Sequence, residues 1–119
     1  MTKLQLSENL RKYTNLEECP VRNVISRFSG KWSILILCIL SENGKTRFNS
    51  IQKALPDISP KVLTGTLRIL EEDSLVQRKI YAEIPPRVEY SLTEKGKTLM
   101  PILYDLIEWA MRNGNQTEL

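Results

Sequence analysis

Lys61, Thr64, Gly65 and Arg68 follow one another at the three- and four-residue spacing that brings side chains to one side of an α-helix. On a 100° wheel Lys61, Gly65, Arg68 and Glu72 fall opposite Leu63, Leu67 and Leu70, with Thr64 on the flank of the polar side and Thr66 beside the leucines. Two cations, a hydroxyl with a methyl, and no bulky group between them make a surface that can bond guanine edges or phosphates in a major groove. Gly65 is costly there, since a mid-helix glycine loses about 0.5–1 kcal/mol against alanine. Its place at the centre of the outward face points to a partner surface that comes close; a merely tolerated glycine is the alternative. Ser59-Pro60 opens the helix as N-cap and first helical residue, and the free N–H groups there, at Ser59 and Lys61, can hold a phosphate.

Charge is distributed to match. Lys45, Arg47, Lys53, Lys61 and Arg68 face only Asp57 in that stretch, and Glu71-Glu72-Asp73 then closes it with an acidic block. The helix would therefore dock with its N-terminal half in and its C-terminal end out. The net charge of +3 and a pI near 8.9 permit a nucleic-acid partner without demanding one.

What is missing narrows the chemistry. The chain has no histidine, which removes the usual general base near neutral pH, the imidazole metal ligand and the Ser/His and Cys/His nucleophile pairs. Cys19 and Cys38 are too few for a Cys-only zinc site or a disulfide framework. Neither a glycine-rich phosphate loop nor a metal set is present, so no enzyme activity, metal or cofactor is expected. No apolar run is long enough for a membrane span and Met1 to Leu10 carries no signal-peptide core, so the chain reads as cytoplasmic.

The elements that must hold these residues follow from periodicity in a chain of 119 residues, the length of one domain. Pro20, followed by Val21, Val24, Ile25 and Phe28, predicts a short amphipathic helix. Trp32 to Leu40 is apolar almost all round and predicts a helix buried at the domain centre, halted by Ser41 to Gly44. Lys45 to Phe48 is a short lead into Asn49 as N-cap and a helix over Ser50 to Leu55, ended by Pro56. Asp57-Ile58 is then a tight turn into the helix from Pro60 to about Asp73, which makes the pair a helix-turn-helix. Leu75 to Tyr81 and Arg87 to Leu92 read as strands of a hairpin wing around Ala82 to Pro86, and Thr93 caps a last helix that stops at Asn113-Gly114. In that helix Leu99, Leu103, Leu106 and Ala110 form a stripe widened by Met100, Ile102, Ile107 and Trp109, broader than one small domain needs to cover. Pro101 inside it removes a hydrogen bond and should bend it.

The ordered pieces Cys-Pro at 19–20, Gly-Lys-Trp at 30–32, Arg-Phe-Asn at 47–49, Ile-Ser-Pro-Lys-Val-Leu at 58–63 and Pro-Pro-Arg-Val-Glu-Tyr at 85–90 resemble the HxlR-type branch of winged-helix, MarR-like transcription regulators, over roughly residues 16 to 112. The resemblance implies an α+β, mainly α, winged helix-turn-helix with additional N- and C-terminal dimerisation helices. It covers the chain as a single domain over 1–119, with the wing at about 75–92 and the C-terminal dimerisation helix at about 94–113. It further implies a homodimeric regulator, repressor or activator, on a pseudo-palindromic double-stranded DNA operator.

Position by position, Ser59, Pro60, Lys61, Thr64 and Arg68 match the family's major-groove surface. Arg87 matches a minor-groove or phosphate contact, Lys45 and Arg47 are expected to touch phosphates, and Gly65 stands where a longer polar residue is common. Ser74 stands where the family usually turns through glycine. Leu16, Leu99, Leu103, Leu106, Ile107, Trp109 and Ala110 are the expected dimer contacts. Several family members sense oxidants or electrophiles through the cysteine of the Cys-Pro motif, which makes Cys19 the redox-sensing candidate and a small oxidant or electrophile the effector. A helix N-terminus lowers a thiol pKa, neighbouring Glu17 and Glu18 raise it, and a cysteine that only caps and packs is the alternative. Cys38, in its apolar helix, reads as a small hydrophobe. A winged-helix module for protein or RNA is the other functional reading; it predicts no salt-sensitive, sequence-selective binding to a promoter fragment.

Overall fold

A computed structural model of the chain describes residues 2–11, 25–26, 28 and 30–114. In chain order the elements are α1 (Lys3–Arg11), α2 (Ser33–Asn43), β1 (Thr46–Arg47), α3 (Phe48–Ala54), α4 (Pro60–Glu72), β2 (Val76–Tyr81), β3 (Arg87–Leu92) and α5 (Glu94–Asn113). Of the helix expected from Pro20, only Ile25, Ser26 and Phe28 are described; they are helical, and Phe28 packs on the core. Cys19 and Leu16 lie outside the described residues.

The apolar run does form α2, but only one side of it is enclosed. Ser33, Ile36, Leu37 and Leu40 are buried, Ile34, Cys38 and Ile39 are half-buried, and Leu35 is exposed. The helix continues past Ser41 to Asn43 and stops at Gly44, whose φ of 70° suits glycine. Two boundaries differ from the sequence reading just after it. Thr46–Arg47 is a strand paired antiparallel to β3, and α3 starts at once with Phe48, so Asn49 lies inside the helix and Arg47 holds the N-cap position without a side-chain bond. Phe48 packs against the core, and that contact draws the first turn two residues earlier than polarity alone indicated.

The helix-turn-helix itself is as expected. Ile58 donates its backbone N–H to the Leu55 carbonyl at 3.0 Å and buries its side chain, which closes the turn between α3 and α4. Leu63, Leu67 and Leu70 of α4 then join Ile36, Leu37 and Leu40 of α2, Ile51 of α3, and Leu75, Val76, Leu92, Met100 and Leu103 in one core. Fully enclosing a leucine is worth roughly 1.5–3 kcal/mol, so the three buried leucines fix which side of α4 faces out.

The sheet has the order β1-β3-β2, with Val76 opposite Leu92 and Tyr81 opposite Arg87 in the hairpin. Val76, Leu92 and Thr46 are buried, while Val88 and Tyr90 are half-buried and Ile80 is exposed, because the hairpin runs out beyond the core as a wing.

The junction between α4 and α5 is tightly built. Ser74 sits at φ 61°, in the left-handed region that favours glycine. Its N–H reaches the Glu71 carbonyl and that of Leu75 reaches Leu70, each at 3.0 Å, the paired bonds of a Schellman helix end. The left-handed conformation costs an ordinary residue roughly 1–2 kcal/mol, and these bonds offset it. Across from it Thr93 caps α5, accepting from the Gly96 N–H at 3.0 Å, while its own hydroxyl donates to the Ser74 carbonyl at 2.5 Å and its backbone N–H to the Leu75 carbonyl at 3.1 Å. Lys95 Nζ adds a bond to the Asp73 carbonyl at 3.0 Å. Helix α5 runs through Pro101, which is exposed, and ends before Gly114.

One expected dimer contact is corrected here. Leu103 is 2% exposed and belongs, with Met100, to the chain's own core, and Leu99 packs half-buried against it. The face that remains open is a stripe of Ile102, Leu106 and Trp109 at i, i+4, i+7, with Ala110 exposed and Ile107 half-buried. No helix among the described residues is long and apolar enough to cross a membrane.

Candidate nucleic-acid interface

Helix α4 presents its expected face. Ser59 caps it by accepting from the Val62 N–H at 3.1 Å, Pro60 occupies the first turn, and Ser59, Pro60, Lys61, Thr64 and Arg68 are all exposed. Thr64 donates its hydroxyl to the Pro60 carbonyl at 2.8 Å, which leaves that oxygen free only to accept. Val62 and Ile69 also reach the surface, at 42% and 41% exposure, so the outward side is less purely polar than the wheel implied. A β-carbon built on Gly65 meets nothing within 4 Å, so no contact inside the chain demands glycine there. Gly65→Ala is accordingly expected to stabilise the free protein by about 0.5–1 kcal/mol and to weaken its hold on DNA. Denaturant melts and binding titrations on the same preparation measure both; unchanged DNA affinity would mean that no partner approaches the glycine.

The wing stands beside this helix. Thr64, Leu67, Arg68, Glu71 and Glu72 of α4 line a cleft of about 410 Å³ together with Arg78 of β2 and Tyr90 of β3. Arg78 spans it to Glu71 at 3.6 Å. Burial pushes the Tyr90 phenol upward, with Arg78 opposing and Glu71 adding to the shift, so the ring keeps its proton in the neutral range. On the other face of the sheet Lys45, Gln77, Lys79, Glu89 and Ser91 meet around a smaller hollow, with Gln77 Nε2 donating to Ser91 Oγ at 3.2 Å. Arg47 lies opposite Glu89, which lies opposite Lys79, so the pairing register sets a carboxylate between two cations.

Lys45 and Arg47 are exposed as a phosphate contact requires. Arg87, expected at a minor groove or a phosphate, is engaged by side chains of its own subunit. Its guanidinium stacks on the Tyr81 ring at 4.0 Å, and its nitrogens lie 3.4 Å from Glu83 and 3.6 Å from Glu89. Only 29% of the side chain is exposed, and Nε is buried without a hydrogen-bond partner. Sequence reasoning passed over Arg78 and Lys79; the run Gln77-Arg78-Lys79 was read only as strand, although a basic pair in a wing strand beside a basic helix was the available signal. Cys38 is a free thiol, half-buried, and burial with Glu42 nearby pushes its pKa up, which keeps it protonated and poorly nucleophilic.

A sequence profile described as HxlR-like helix-turn-helix matches residues 27–118. The chain belongs to that family. HxlR-like membership agrees with the winged helix-turn-helix seen here, and the relatives agree as well. An HTH-type transcriptional regulator of Methanothermobacter thermautotrophicus is 47% identical over 100 residues, 84% of this chain and 76% of the relative. The HTH-type transcriptional regulator YybR of Bacillus subtilis is 41% identical over 113 residues, 95% of this chain and 90% of its own. Among solved structures, the redox regulator HypR in its oxidised form matches with a TM-score of 0.75 at 41% identity, covering 82% of this HxlR-like chain and 99% of HypR.

Proposed function

We infer that this HxlR-like protein is a DNA-binding transcriptional regulator that acts in the cytoplasm as a homodimer on a pseudo-palindromic operator, without catalytic activity of its own. Each subunit lays the N-terminal half of α4 in the major groove. The observation that carries this is the exposed row Lys61, Thr64 and Arg68 on a helix whose opposite side is locked by Leu63, Leu67 and Leu70. Pro60, Ser59 and Gly65 keep the approach low, and Lys45 and Arg47 supply phosphate contacts at the edge of the sheet. The open stripe of α5, Ile102, Leu106 and Trp109, is the face that pairs two subunits, with Ile107 and Ala110 beside it. Footprinting upstream of the protein's own gene supplies the site and its half-site spacing, for which one helical turn or a multiple is expected. On that site Lys61→Ala should reduce the slope of log affinity against log salt by about two, close to one phosphate per half-site. An unchanged slope removes Lys61 from the interface.

Likeness to HypR, a redox regulator, supports a second layer: loss or gain of DNA affinity when Cys19 is oxidised or alkylated. Mild diamide is expected to shift the operator affinity of the wild type and to leave Cys19→Ser untouched; equal responses in the two proteins would end this reading.

A further inference from the structure

The family resemblance puts a cation, Arg87, at the DNA end of the wing, yet the geometry of the tip does not favour it. Arg87 is the first residue of β3, opposite Tyr81, and its guanidinium lies over that ring. Glu83 and Glu89 flank it at 3.4 and 3.6 Å, so the Arg87 charge is already engaged by two carboxylates, while Lys79 shares the Tyr81 ring and lies opposite Glu89. A phosphate would have to displace both. Beyond it the loop of residues 82–86 is Ala-Glu-Ile-Pro-Pro: four of the five are apolar, all five are exposed, and Ile84 is exposed in full at 102%. This is the far end of a hairpin whose Arg78 already lines the cleft beside Thr64 and Arg68. Tyr81 lies three residues past Arg78, about 10 Å at the rise of a strand, so the loop lies about that much farther along the wing than the residue that lines the cleft.

We propose that the wing reads the minor groove through an apolar contact made by Ile84 and its neighbouring prolines, and that Arg87 is a positioning residue that holds the hairpin end. Apolar side chains of this kind, isoleucine and proline included, enter minor grooves and wedge against the base steps at their floor. The floor is open at A·T pairs and obstructed by the guanine 2-amino group at G·C pairs, so the contact carries a preference without releasing counterions. Arg87, between Tyr81, Glu83 and Glu89, fixes the angle at which the loop leaves the sheet.

This proposal rests on the DNA-binding reading above, and its test separates the two. The probe is the footprinted duplex, with the base pairs under the wing set to A·T, G·C or I·C, the last lacking the 2-amino group. Wild type is expected to bind the A·T and I·C duplexes alike and the G·C duplex about 5- to 10-fold more weakly. Ile84→Ser should bind all three equally, about as weakly as wild type binds G·C, with the salt slope unchanged. Arg87→Gln should lower affinity for all three, again with the slope unchanged. A salt slope reduced by about two in Arg87→Gln, or base discrimination that survives in Ile84→Ser, overturns the proposal while DNA binding by α4 stands. A wild type that shows no salt-sensitive, sequence-selective binding overturns both.

Discussion

Leu106→Glu is expected to separate the subunits and to lower operator affinity by at least about 100-fold, the usual loss when two linked contacts become two independent ones. Leu106 is 49% exposed at the centre of the stripe formed with Ile102 and Trp109, so the substitution removes nothing from the chain's own core. Across a two-fold axis each new carboxylate would meet apolar surface and its own symmetry mate, both unfavourable. Sedimentation equilibrium should report a monomer at concentrations where wild type is a dimer. The melting temperature of the isolated subunit should hold, apart from the part that dimerisation contributed. A variant that remains dimeric and binds normally would place the interface elsewhere on the molecule.

Gly96→Ala should be the most damaging small change. A β-carbon there would lie 2.2 Å from the Leu75 carbonyl oxygen and 3.1 Å from its carbon, both backbone atoms of the helix end at Ser74. Neither can swing aside as a flexible side chain could, so α5 must lift off that end and stretch the bonds from Thr93 to Ser74 and Leu75 and from Lys95 to Asp73. Overpacking of this kind costs about 3 kcal/mol, which lowers the melting temperature by roughly 10 °C in a chain of this size. Thermal melts at matched concentration check it. Against Gly65→Ala, where the space is open, the pair separates a glycine kept for packing from one kept for a partner.

Much of this was legible in the residues because the signals were local. Ser59-Pro60 before Leu63, Leu67 and Leu70 fixes both the start and the facing of α4, and Thr93 fixes the start of α5. Where the outcome depended on a distant segment, local pattern had less to say. Thr46–Arg47 is a strand only because β3 lies beside it; two residues carry no periodicity. Phe48 moved the start of α3 because it found the core, a contact invisible to a rule that looks for a capping side chain. Leu103 and Leu106 both lie within the broad apolar surface of α5, and the wheel does not say which part meets the chain's own core and which meets a partner. Arg87 differs: its partners Tyr81, Glu83 and Glu89 are close in sequence, and it is the hairpin register that brings the Tyr81 ring under its guanidinium.

The bonded corner where Ser74 and Leu75 meet Thr93 and Gly96 has a mechanical consequence. Because α4 is fastened there to the base of α5, a 20-residue helix, the subunit pairing proposed at Leu106 would make the two helices a lever whose arm, about 12 residues from Glu94 to Leu106, is about 18 Å long. Swinging that arm by about 10° carries the fastened end through about 3 Å, about the length of a hydrogen bond. On the proposed pairing, a small rearrangement between the α5 helices would thereby be passed to α4, and nothing that triggers it would have to touch the face of α4 that meets the DNA.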